Sequence, residues 1–375
     1  MASGPLLLTL SITALAWGIQ AKKEISGSTA VDLGQHRDAW RPLMHLSVNL
    51  TKIRGITSTF QLRTYDPEGT IFYGDTKNGR DWFILALKDG VPLMQISRSG
   101  VLVFVVGGPK LNDGRWHTLE LSNHGDFVVL EVDGSRGLLV GLQSDTIEEV
   151  VSGSLRLAIG GILIPKERLF VQLEPQLDAC VRDGSWLNLS NPWETDAEQL
   201  RPCRQNIRPG SFFSGSGMAV VNSSAVLQTE YEHGVTIRVL GDFAKMDGTI
   251  LSIRPPGQAL MFAVVADNNT KEVTVILGGY KMSLKEDFKE LEMTFGTDWM
   301  EIRNGGHASK VPWENPELLK TLRESHVAIG GLPGKDDAGS SFLRGCLEKI
   351  QIQGKDVDLD GANKHPSISS HSCPL

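Results

Sequence analysis

The stretch Phe60-Gln-Leu-Arg-Thr-Tyr-Asp-Pro-Glu-Gly-Thr-Ile-Phe-Tyr-Gly-Asp75 decides the fold of this chain. Apolar and polar residues alternate over residues 60–62, Pro67 and Gly69 punctuate a turn, and residues 70–73 are β-branched or aromatic. This pattern predicts a strand, a tight acidic turn and a second strand.

The turn itself carries two acidic residues, Asp66 and Glu68. Their oxygen atoms are hard ligands of the kind that Ca²⁺ requires. The alternative is an Asx-type turn in which the carboxylate bonds to nearby backbone N–H groups and holds no metal. The spacing alone leaves both interpretations open.

The same region resembles the first laminin G-like domain of the sex hormone-binding globulin family over about residues 45–190. Besides the opening stretch, the resemblance is carried by Asp113-Gly-Arg-Trp-His117, Leu130-Glu-Val-Asp-Gly134 and Ile159-Gly-Gly161. It implies a structural Ca²⁺ held by Asp66 and the carbonyl of Glu68. It also implies an all-β fold of two tandem laminin G-like jelly-roll β-sandwiches.

Length and composition agree with a globular protein of two domains. The chain has 375 residues, of which 41% are hydrophobic and 22% charged, and each half is long enough to bury a core. A net charge of -7 argues against a nucleic-acid partner.

The N-terminal residues have the character of a secretory signal peptide. Residues 6–17 form an apolar run, and small residues at Gly18 and Ala21 offer cleavage sites. We expect residues 1–21 to be removed. No later apolar run approaches the roughly 20 residues of a spanning helix, so we expect a secreted protein without a membrane span. The family resemblance implies that it is a plasma protein.

The chain has four cysteines, for which sequence alone allows three connectivities. Each sequential pair, Cys180 with Cys203 and Cys346 with Cys373, lies near the end of one half. We expect these pairs to be bridged, each closing a loop worth roughly 3 kcal/mol. Four glycosylation acceptors occur, some of which we expect to be occupied: Asn49, Asn188, Asn222 and Asn268.

An internal repeat divides the chain. Ala158-Ile-Gly-Gly161 recurs as Ala328-Ile-Gly-Gly331, and Gly69-Thr-Ile71 is echoed by Gly248-Thr-Ile250. Two copies of one β fold in tandem explain this internal repeat better than a solenoid does, because solenoid repeats are far shorter. The predicted division is a first domain over residues 45–190, a connector over 191–212 and a second domain over 213–375.

Short alternating runs dominate both halves, as in residues 127–132 and 235–239, with Gly, Asn and Asp between them. They predict antiparallel sandwiches. Helical periodicity is confined to residues 316–324 and, more weakly, 283–291.

The resemblance also implies a steroid-binding slot between the sheets of the first domain. By alignment with the family, Ser58 contacts one end of the steroid and Asp81 binds the hydroxyl at the other. Gly74, Thr76 and Phe83 match wall positions. A carboxylate that receives a hydroxyl proton is a strong, charge-assisted anchor.

The chain departs from the family at the polar end of this slot. Arg98 stands where the family has an asparagine that also binds the hydroxyl, and Asn123 and Leu155 replace two methionines. Arg98 would either pair with Asp81 and compete for its oxygens or turn out to solvent. Affinity and ligand choice therefore depend on this residue.

Catalysis is not expected, because no Gly-x-Ser-x-Gly or His-Glu-x-x-His motif occurs. Asp66 and Glu68 are too close together in one turn to flank a substrate as a glycosidase pair does. The second half has Met246-Asp-Gly-Thr249 at the corresponding turn. We expect that half to be structural or to bind a partner.

A rival function comes from the C-terminal segment. Residues 342–346 and 371–374 resemble the last domain of vitamin K-dependent protein S and its relatives, whose paired laminin G-like domains bind proteins. The pair of domains without an upstream Glu-rich, cysteine-dense region favours the steroid carrier. The family's edge-strand pairing further implies a homodimer.

Overall fold

The computed structural model describes most of the chain. The residues described are 30–35, 40–53, 57–76, 78–124, 127–141, 153–185, 193–195, 200–222, 234–285, 288–312, 318–333 and 341–375. The signal peptide expected over residues 1–21 lies outside these ranges.

The first half consists of short strands. In chain order they are β1 (Val31–Asp32), β2 (Met44–Asn49), β3 (Thr57–Thr64), β4 (Gly69–Thr76), β5 (Asp81–Lys88), β6 (Val91–Arg98), β7 (Val101–Val106), β8 (His117–His124), β9 (Phe127–Val132), β10 (Ser135–Gly141), β11 (Ser154–Ile159), β12 (Ala179–Ser185) and β13 (Glu194–Thr195). Single 3₁₀ turns occur at Leu33–Gln35, Leu50–Lys52 and Lys166–Arg168.

These strands form two antiparallel sheets that pack face to face. The six-stranded sheet has the order β1-β12-β3-β8-β9-β10, and the seven-stranded sheet has the order β13-β2-β11-β4-β5-β6-β7. Non-sequential neighbours such as β11 and β4 show that the chain crosses between sheets, as in a jelly roll. The predicted strand, turn and strand are β3 and β4, which lie in different sheets, so the Asp66 turn is a corner of the sandwich.

The second half repeats this architecture. Its strands are β14 (Ile207–Pro209), β15 (Ser211–Ser214), β16 (Ala219–Asn222), β17 (Val235–Gly241), β18 (Gly248–Arg254), β19 (Phe262–Asp267), β20 (Glu272–Leu277), β21 (Tyr280–Leu284), β22 (Glu290–Phe295), β23 (Trp299–Asn304), β24 (His307–Pro312), β25 (His326–Ile329), β26 (Arg344–Ile352), β27 (Lys355–Asp356), β28 (Asn363–Lys364) and β29 (Ser372–Pro374). A short helix, α1, spans Leu318–Glu324, and a 3₁₀ turn spans Phe243–Lys245.

Two seven-stranded sheets make up the second sandwich. One has the path β15-β26-β17-β22-β23-β24 with β27 beside β26, and the other has the order β21-β20-β19-β18-β25-β16-β28. β14 pairs with β29, so the C-terminal strand returns to the start of the second half. The fold class predicted from the sequence, all-β with tandem laminin G-like sandwiches, is confirmed.

Each sandwich has its own core. Phe60, Leu62, Leu119 and Leu157 are among the residues buried between the sheets of the first half, and Ile237, Phe262 and Phe295 lie in the second core. The seven-stranded sheet of the first half is also covered on its other face, where Tyr73, Trp82 and Ile84 pack under residues 162–173. Nearly every residue of β4 is therefore buried, which accounts for its continuous apolar run.

The sequence repeat corresponds to equivalent strands. Ala158 and Ala328 lie in β11 and β25, which neighbour β4 and β18 in the two sandwiches. Residues 130–134 and the similar residues 299–305, Trp299-Met-Glu-Ile-Arg-Asn-Gly305, belong to the β9–β10 and β23–β24 hairpins.

The helix predictions had mixed outcomes. Helix α1 accounts for residues 318–324, while residues 316 and 317 are outside the described ranges. The prediction of helix over residues 283–291 is wrong, because Tyr280–Leu284 pairs with β20 and Glu290–Phe295 pairs with β17. Gly278 and Gly279 close the β20–β21 hairpin, and the ladder pairing of residues 280–284 and 290–295 outweighs the weak helical periodicity of this stretch of sequence.

The cysteines are joined as Cys180–Cys203 and Cys346–Cys373. Among the described residues, no helix is long and apolar enough to cross a membrane.

Candidate functional site

A cavity of about 330 Å³ opens between the two sheets of the first sandwich. This volume falls within the roughly 300–1,000 Å³ of small-molecule sites. Both sheets and the 3₁₀ turn after β2 contribute to its walls. The lining residues are Leu50, Ile53, Gly74, Asp75, Thr76, Asp81, Trp82, Phe83, Ile96, Ser97, Arg98, Leu121, Val128 and Leu155. We call it the inter-sheet cavity.

Most of its walls are apolar because each strand turns alternate side chains inward. Leu121 and Val128 come from the six-stranded sheet, and Phe83, Ile96 and Leu155 come from the opposite sheet. The position of Leu155 agrees with its alignment to a pocket methionine. Asn123 is exposed on β8 and does not line the cavity.

Gly74 makes room for the ring of Phe83. A Cβ atom at position 74 would lie 2.3 Å from Phe83 Cε1 and 3.0 Å from Leu157 Cδ2. The ring of Phe83 also meets that of Phe72 edge to face, with centroids 5.4 Å apart. Any side chain at position 74 would therefore displace Phe83 within the cavity.

The polar end of the cavity lies at the turn between β4 and β5 and at the end of β6. Asp81 is opposite Thr76 in the β4–β5 ladder, and its Oδ1 accepts a hydrogen bond of 2.9 Å from the Ser99 N–H. Arg98 is exposed and also lines the cavity. An acceptor and a donor thus stand at the same end of an apolar cavity.

The predicted competition between Arg98 and Asp81 does not occur. The Arg98 guanidinium forms no ion pair or hydrogen bond with a described residue. The second expectation, that Arg98 turns toward solvent, agrees with its exposure. Asp81 is half-buried.

A second carboxylate, Asp75, also lines the cavity, but its oxygen atoms are already used. Arg156 donates to both oxygens at 2.8 and 2.7 Å, and the Tyr73 hydroxyl donates to Oδ2 at 2.6 Å. Burial and this hydrogen bond raise the pKa of Tyr73 above its ordinary range. Asp75 is therefore a structural carboxylate.

Ser58 is fully buried on β3 and is not one of the lining residues. It stands opposite Leu121 in the β3–β8 ladder, and directly opposed residues share a face of the sheet. Its side chain therefore faces the space between the sheets, next to a wall residue. The role of Ser58 as a ligand contact stays a prediction.

The Asp66 turn is buried beneath the C-terminal segment. Asp66 Oδ1 accepts from the Glu68 N–H at 3.0 Å, as an Asx turn requires, and Oδ2 accepts from the Asp178 N–H at 2.7 Å. The Glu68 side chain points elsewhere, toward Lys88 Nζ at 2.6 Å and the Glu174 N–H at 2.8 Å.

Two residues from the far end of the chain complete this cluster. Ligand atoms of Asp66, Asp360 and His371 all lie within 4.8 Å of one another. His371 Nε2 is 2.9 Å from Asp360 Oδ2 and 3.5 Å from Asp66 Oδ1. We call these three residues the Asp66 cluster. Sequence reasoning missed Asp360 and His371, for which the only signal was the position of His371 beside the tail disulfide.

The electrostatics of the cluster are unusual. Burial raises the pKa of Asp66 well above its ordinary value, and the charge on His371 opposes the rise. Burial would also raise the pKa of Asp360, but hydrogen bonds and charges from His371 and Lys364 bring it below its usual range. Although burial lowers the pKa of His371, the negative charge of Asp66 and hydrogen bonds to Asp358 and Asp360 bring it well above normal.

The cluster fits a hard cation in part. Asp66, Asp360 and the nearby Asp358 supply carboxylate oxygens, whereas imidazole is not a usual ligand of Ca²⁺. Burial favours the neutral form of Asp66 and raises its pKa, and a divalent ion bound beside it would stabilise its charged form. Asp360 also bonds to His371 and to Lys364.

Asp178 fastens the C-terminal segment to the first sandwich. Its Oδ2 accepts from the N–H groups of His371 and Ser372 at 2.8 and 3.0 Å, and the hydroxyl of Ser369 donates at 3.0 Å. Asp178 itself is buried. The residues around the Asp66 cluster are thus held by backbone as well as side-chain hydrogen bonds.

The glycosylation acceptors are only partly described. Asn49 ends β2, where its side chain accepts from the Thr51 N–H at 3.0 Å, and Asn268 accepts from Lys271 Nζ at 2.5 Å. Asn188 and the side chain of Asn222 lie outside the described part of the structure. Occupancy of all four stays a prediction.

Comparison with known proteins agrees with this architecture. The Laminin G domain family model matches residues 62–190. Laminin G domains LG4-5 of the mouse laminin alpha1 chain superpose with a TM-score of 0.69 at 18% identity, covering 100% of this chain and 99% of that one. The protein is therefore built of tandem laminin G-like domains.

Relatives that are similar over most of the chain define the family more narrowly. The chain is 32% identical to rat sex hormone-binding globulin over 348 residues, covering 89% of this chain and 84% of the relative. The human relative is 31% identical over 352 residues, with the same coverages. Mouse growth arrest-specific protein 6 is more distant, at 26% identity and with 54% of its length covered. The chain belongs to the sex hormone-binding globulin family.

Proposed function

We propose that this protein is a secreted carrier that binds a sex steroid in the inter-sheet cavity and regulates the free plasma concentration of that steroid. The observation that carries the proposal is an apolar cavity with a carboxylate at one end, in a chain that belongs to the sex hormone-binding globulin family. Burial of a tetracyclic skeleton supplies most of the affinity, at roughly 25 cal/mol per Å². The end groups supply orientation.

Within the cavity, Asp81 anchors the steroid hydroxyl. The Ser99 N–H fixes one oxygen of Asp81, and hydrogen bonds to an ionised acceptor are stronger than neutral ones. Arg98 donates to the hydroxyl oxygen from the same end. The skeleton packs on Phe83 and the aliphatic walls, with Gly74 and Thr76 beside it and Ser58 toward the opposite end.

A Ca²⁺ ion at the Asp66 cluster supports this domain, held by the Asp66 carboxylate and the Glu68 carbonyl. Asp360 adds a ligand from the second half of the chain. The ion offsets the buried charge of Asp66 and joins the corner between β3 and β4 to the C-terminal segment. Its role is structural, and no catalytic activity is proposed.

The protein forms a homodimer through β7. This strand ends the seven-stranded sheet, is six residues long and contains neither a charged residue nor proline. Val101, Leu102, Phe104 and Val106 are exposed. An exposed apolar edge of this kind invites pairing with another strand, and a second copy of the same edge closes the sheet symmetrically.

A protein-binding role like that suggested by the protein S resemblance is the second candidate. The 26% identity to growth arrest-specific protein 6 extends over 89% of this chain. The carrier is favoured because identity to the globulins is higher and covers far more of the relative. The two candidates differ in one measurable property, since only the carrier requires a steroid ligand.

The first prediction tests the anchor. Asp81→Asn should weaken binding of a radiolabelled hydroxysteroid about tenfold, because a charge-assisted hydrogen bond is lost. Asp89→Asn, at the other end of β5, is the matched control and should bind as the parent does. Arg98→Asn should preserve or strengthen binding, because an asparagine side chain also donates to the hydroxyl oxygen and is the family's residue at this position. Unchanged affinity in a folded Asp81→Asn protein would show that the anchor is misassigned.

The second prediction tests the ion. Calorimetric titration of Ca²⁺ into chelator-treated protein should show one binding event per chain, which Asp66→Asn removes and Asp360→Asn weakens. Asp247→Asn changes the corresponding turn of the second sandwich and should have no effect. If Asp66→Asn takes up Ca²⁺ as the parent does, the ion is not held at this turn.

The third prediction tests the dimer. In sedimentation equilibrium, the parent should have twice the chain mass, and the double variant Leu102→Lys with Phe104→Lys should be monomeric because charges repel across a paired edge. Phe127→Lys, an exposed apolar residue on β9, should leave the dimer intact. A monomeric parent would refute the proposed pairing.

The fourth prediction concerns processing and domain division. Residues 1–21 act as a signal peptide, so the secreted protein should begin at Ile19 or Lys22 on N-terminal sequencing. Limited proteolysis under reducing conditions should cut within residues 191–212 and leave fragments corresponding to residues 45–190 and 213–375. Retention of Met1 would contradict the signal peptide, and first cuts inside either fragment would contradict the division.

A further inference from the structure

A second cavity, of about 480 Å³, lies on the outer face of the six-stranded sheet. It is lined by Ala30, Arg63, Trp116, Arg182, Pro202, Cys203, Arg204 and Gln205. In the β3–β12 ladder, Leu62 and Val181 form a pair that faces the core, so the neighbouring pairs of Arg63 with Cys180 and Gln61 with Arg182 face outward. This basic pocket is therefore separated from the inter-sheet cavity by the sheet itself.

Arg63 is the buried floor of the pocket, with only 6% of its surface exposed. Its terminal nitrogens donate to the carbonyls of Gln205, at 2.7 Å, and Arg204. Its Nε atom has no hydrogen-bond partner, and no described carboxylate forms an ion pair with it. A buried guanidinium normally has such a partner, so the positive charge here is uncompensated.

A second guanidinium stands close to the first. Arg63 and Arg182 both pack on the ring of Trp116, at 4.7 and 4.0 Å from the ring centroids. The proximity of Arg182, after burial itself, lowers the pKa of Arg63. Arg182 is partly satisfied, with the Gln61 Oε1 at 2.7 Å and the Asp183 Oδ2 at 3.4 Å.

The rim adds a third positive charge. Arg204 is exposed, stacks on Phe212 at 4.0 Å and forms no ion pair with a described carboxylate. The Cys180–Cys203 disulfide and the hydrogen bonds from Arg63 hold the 203–205 segment over the sheet. Three guanidinium groups thus converge on one cavity in a chain whose net charge is -7.

We propose that the basic pocket binds the sulfate or phosphate group of a small monoester. Guanidinium groups match such oxyanions because their N–H donors are fixed in a plane and bind two oxygens at once. A bound anion offsets the uncompensated charge of Arg63, and the repulsion between Arg63 and Arg182 is relieved. Trp116 lies against both guanidinium groups.

The size of the pocket favours an ester over a free anion. Its volume equals that of about 16 water molecules, at about 30 Å³ each, which is more than a five-atom oxyanion fills. The organic part of the ester would occupy the remaining space toward Pro202 and Gln205. Because the pocket is distinct from the inter-sheet cavity, this inference does not depend on the proposed steroid function.

The test is calorimetric titration of the full secreted chain with phenyl sulfate, phenyl phosphate and inorganic sulfate, at constant ionic strength set by chloride. We expect one ester per chain, bound more tightly than inorganic sulfate. Arg182→Gln should weaken binding about tenfold or more, since a charge-assisted pair is lost. Arg115→Gln is the matched control, because its side chain is exposed beside Trp116 but does not line the pocket.

The inference would be overturned by the absence of 1:1 binding of either ester, or by equal binding to the parent and to Arg182→Gln. Equal affinity for inorganic sulfate and the esters would assign the pocket to the free anion and refute the ester. Arg204→Gln, at the exposed rim, provides a second test that does not disturb the buried Arg63. It should weaken binding less than Arg182→Gln does.

Discussion

The space between two packed sheets is the constraint on which the first sandwich depends. Such sheets lie about 10 Å apart, so inward-facing side chains from both must fill the same layer. At Gly74 there is no side chain, and the ring of Phe83 takes that space instead. Toward the β4–β5 turn, side chains no longer fill the layer between the sheets, and the unfilled space is the inter-sheet cavity. Its walls are apolar because alternate side chains of each strand face inward. Its polar end lies where the strands end, at Asp81 and Arg98.

A second constraint is the burial of acidic residues at the opposite corner. Asp66 and Asp178 are both buried, and the Asp178 N–H donates a hydrogen bond to the Asp66 carboxylate. Asp178 accepts hydrogen bonds from residues 369–372, and the imidazole of His371 is paired with Asp66. Breaking one partner of such a network leaves a buried charge, which costs several kcal/mol. The corner of the first sandwich is therefore energetically tied to the C-terminal segment, although the two are about 300 residues apart.

Local patterns in the sequence were enough to predict much of the fold. Alternation over residues 127–132 and 235–239 predicted β9 and β17, and the repeated Ala-Ile-Gly-Gly motif predicted two similar sandwiches. The predicted helix over residues 283–291 failed because hairpin pairing overrode a weak local period. The resemblance placed Gly74, Thr76, Asp81, Phe83 and Arg98 at one cavity, and all five line the inter-sheet cavity. Ser58 is opposite the wall residue Leu121 but is not itself a lining residue.

Long-range contacts could not be predicted in the same way. Asp360 and His371 are far from Asp66 in the sequence and meet it only in the folded chain. Arg63 is an outward-facing strand residue, for which exposure is the ordinary expectation. It is buried because the segment around Cys203 covers it, and nothing in its neighbouring sequence signals that cover. Such sites arise from where separate segments meet, so a single-sequence pattern does not contain them.

The most direct measurement of the central claim is a crystal structure of the protein grown with a hydroxysteroid and Ca²⁺. The account predicts the steroid between the two sheets of the first sandwich, with its skeleton against Phe83 and a hydroxyl within hydrogen-bond distance of the Asp81 carboxylate. Electron density for the steroid at any other surface, with the inter-sheet cavity filled by protein side chains, would contradict it.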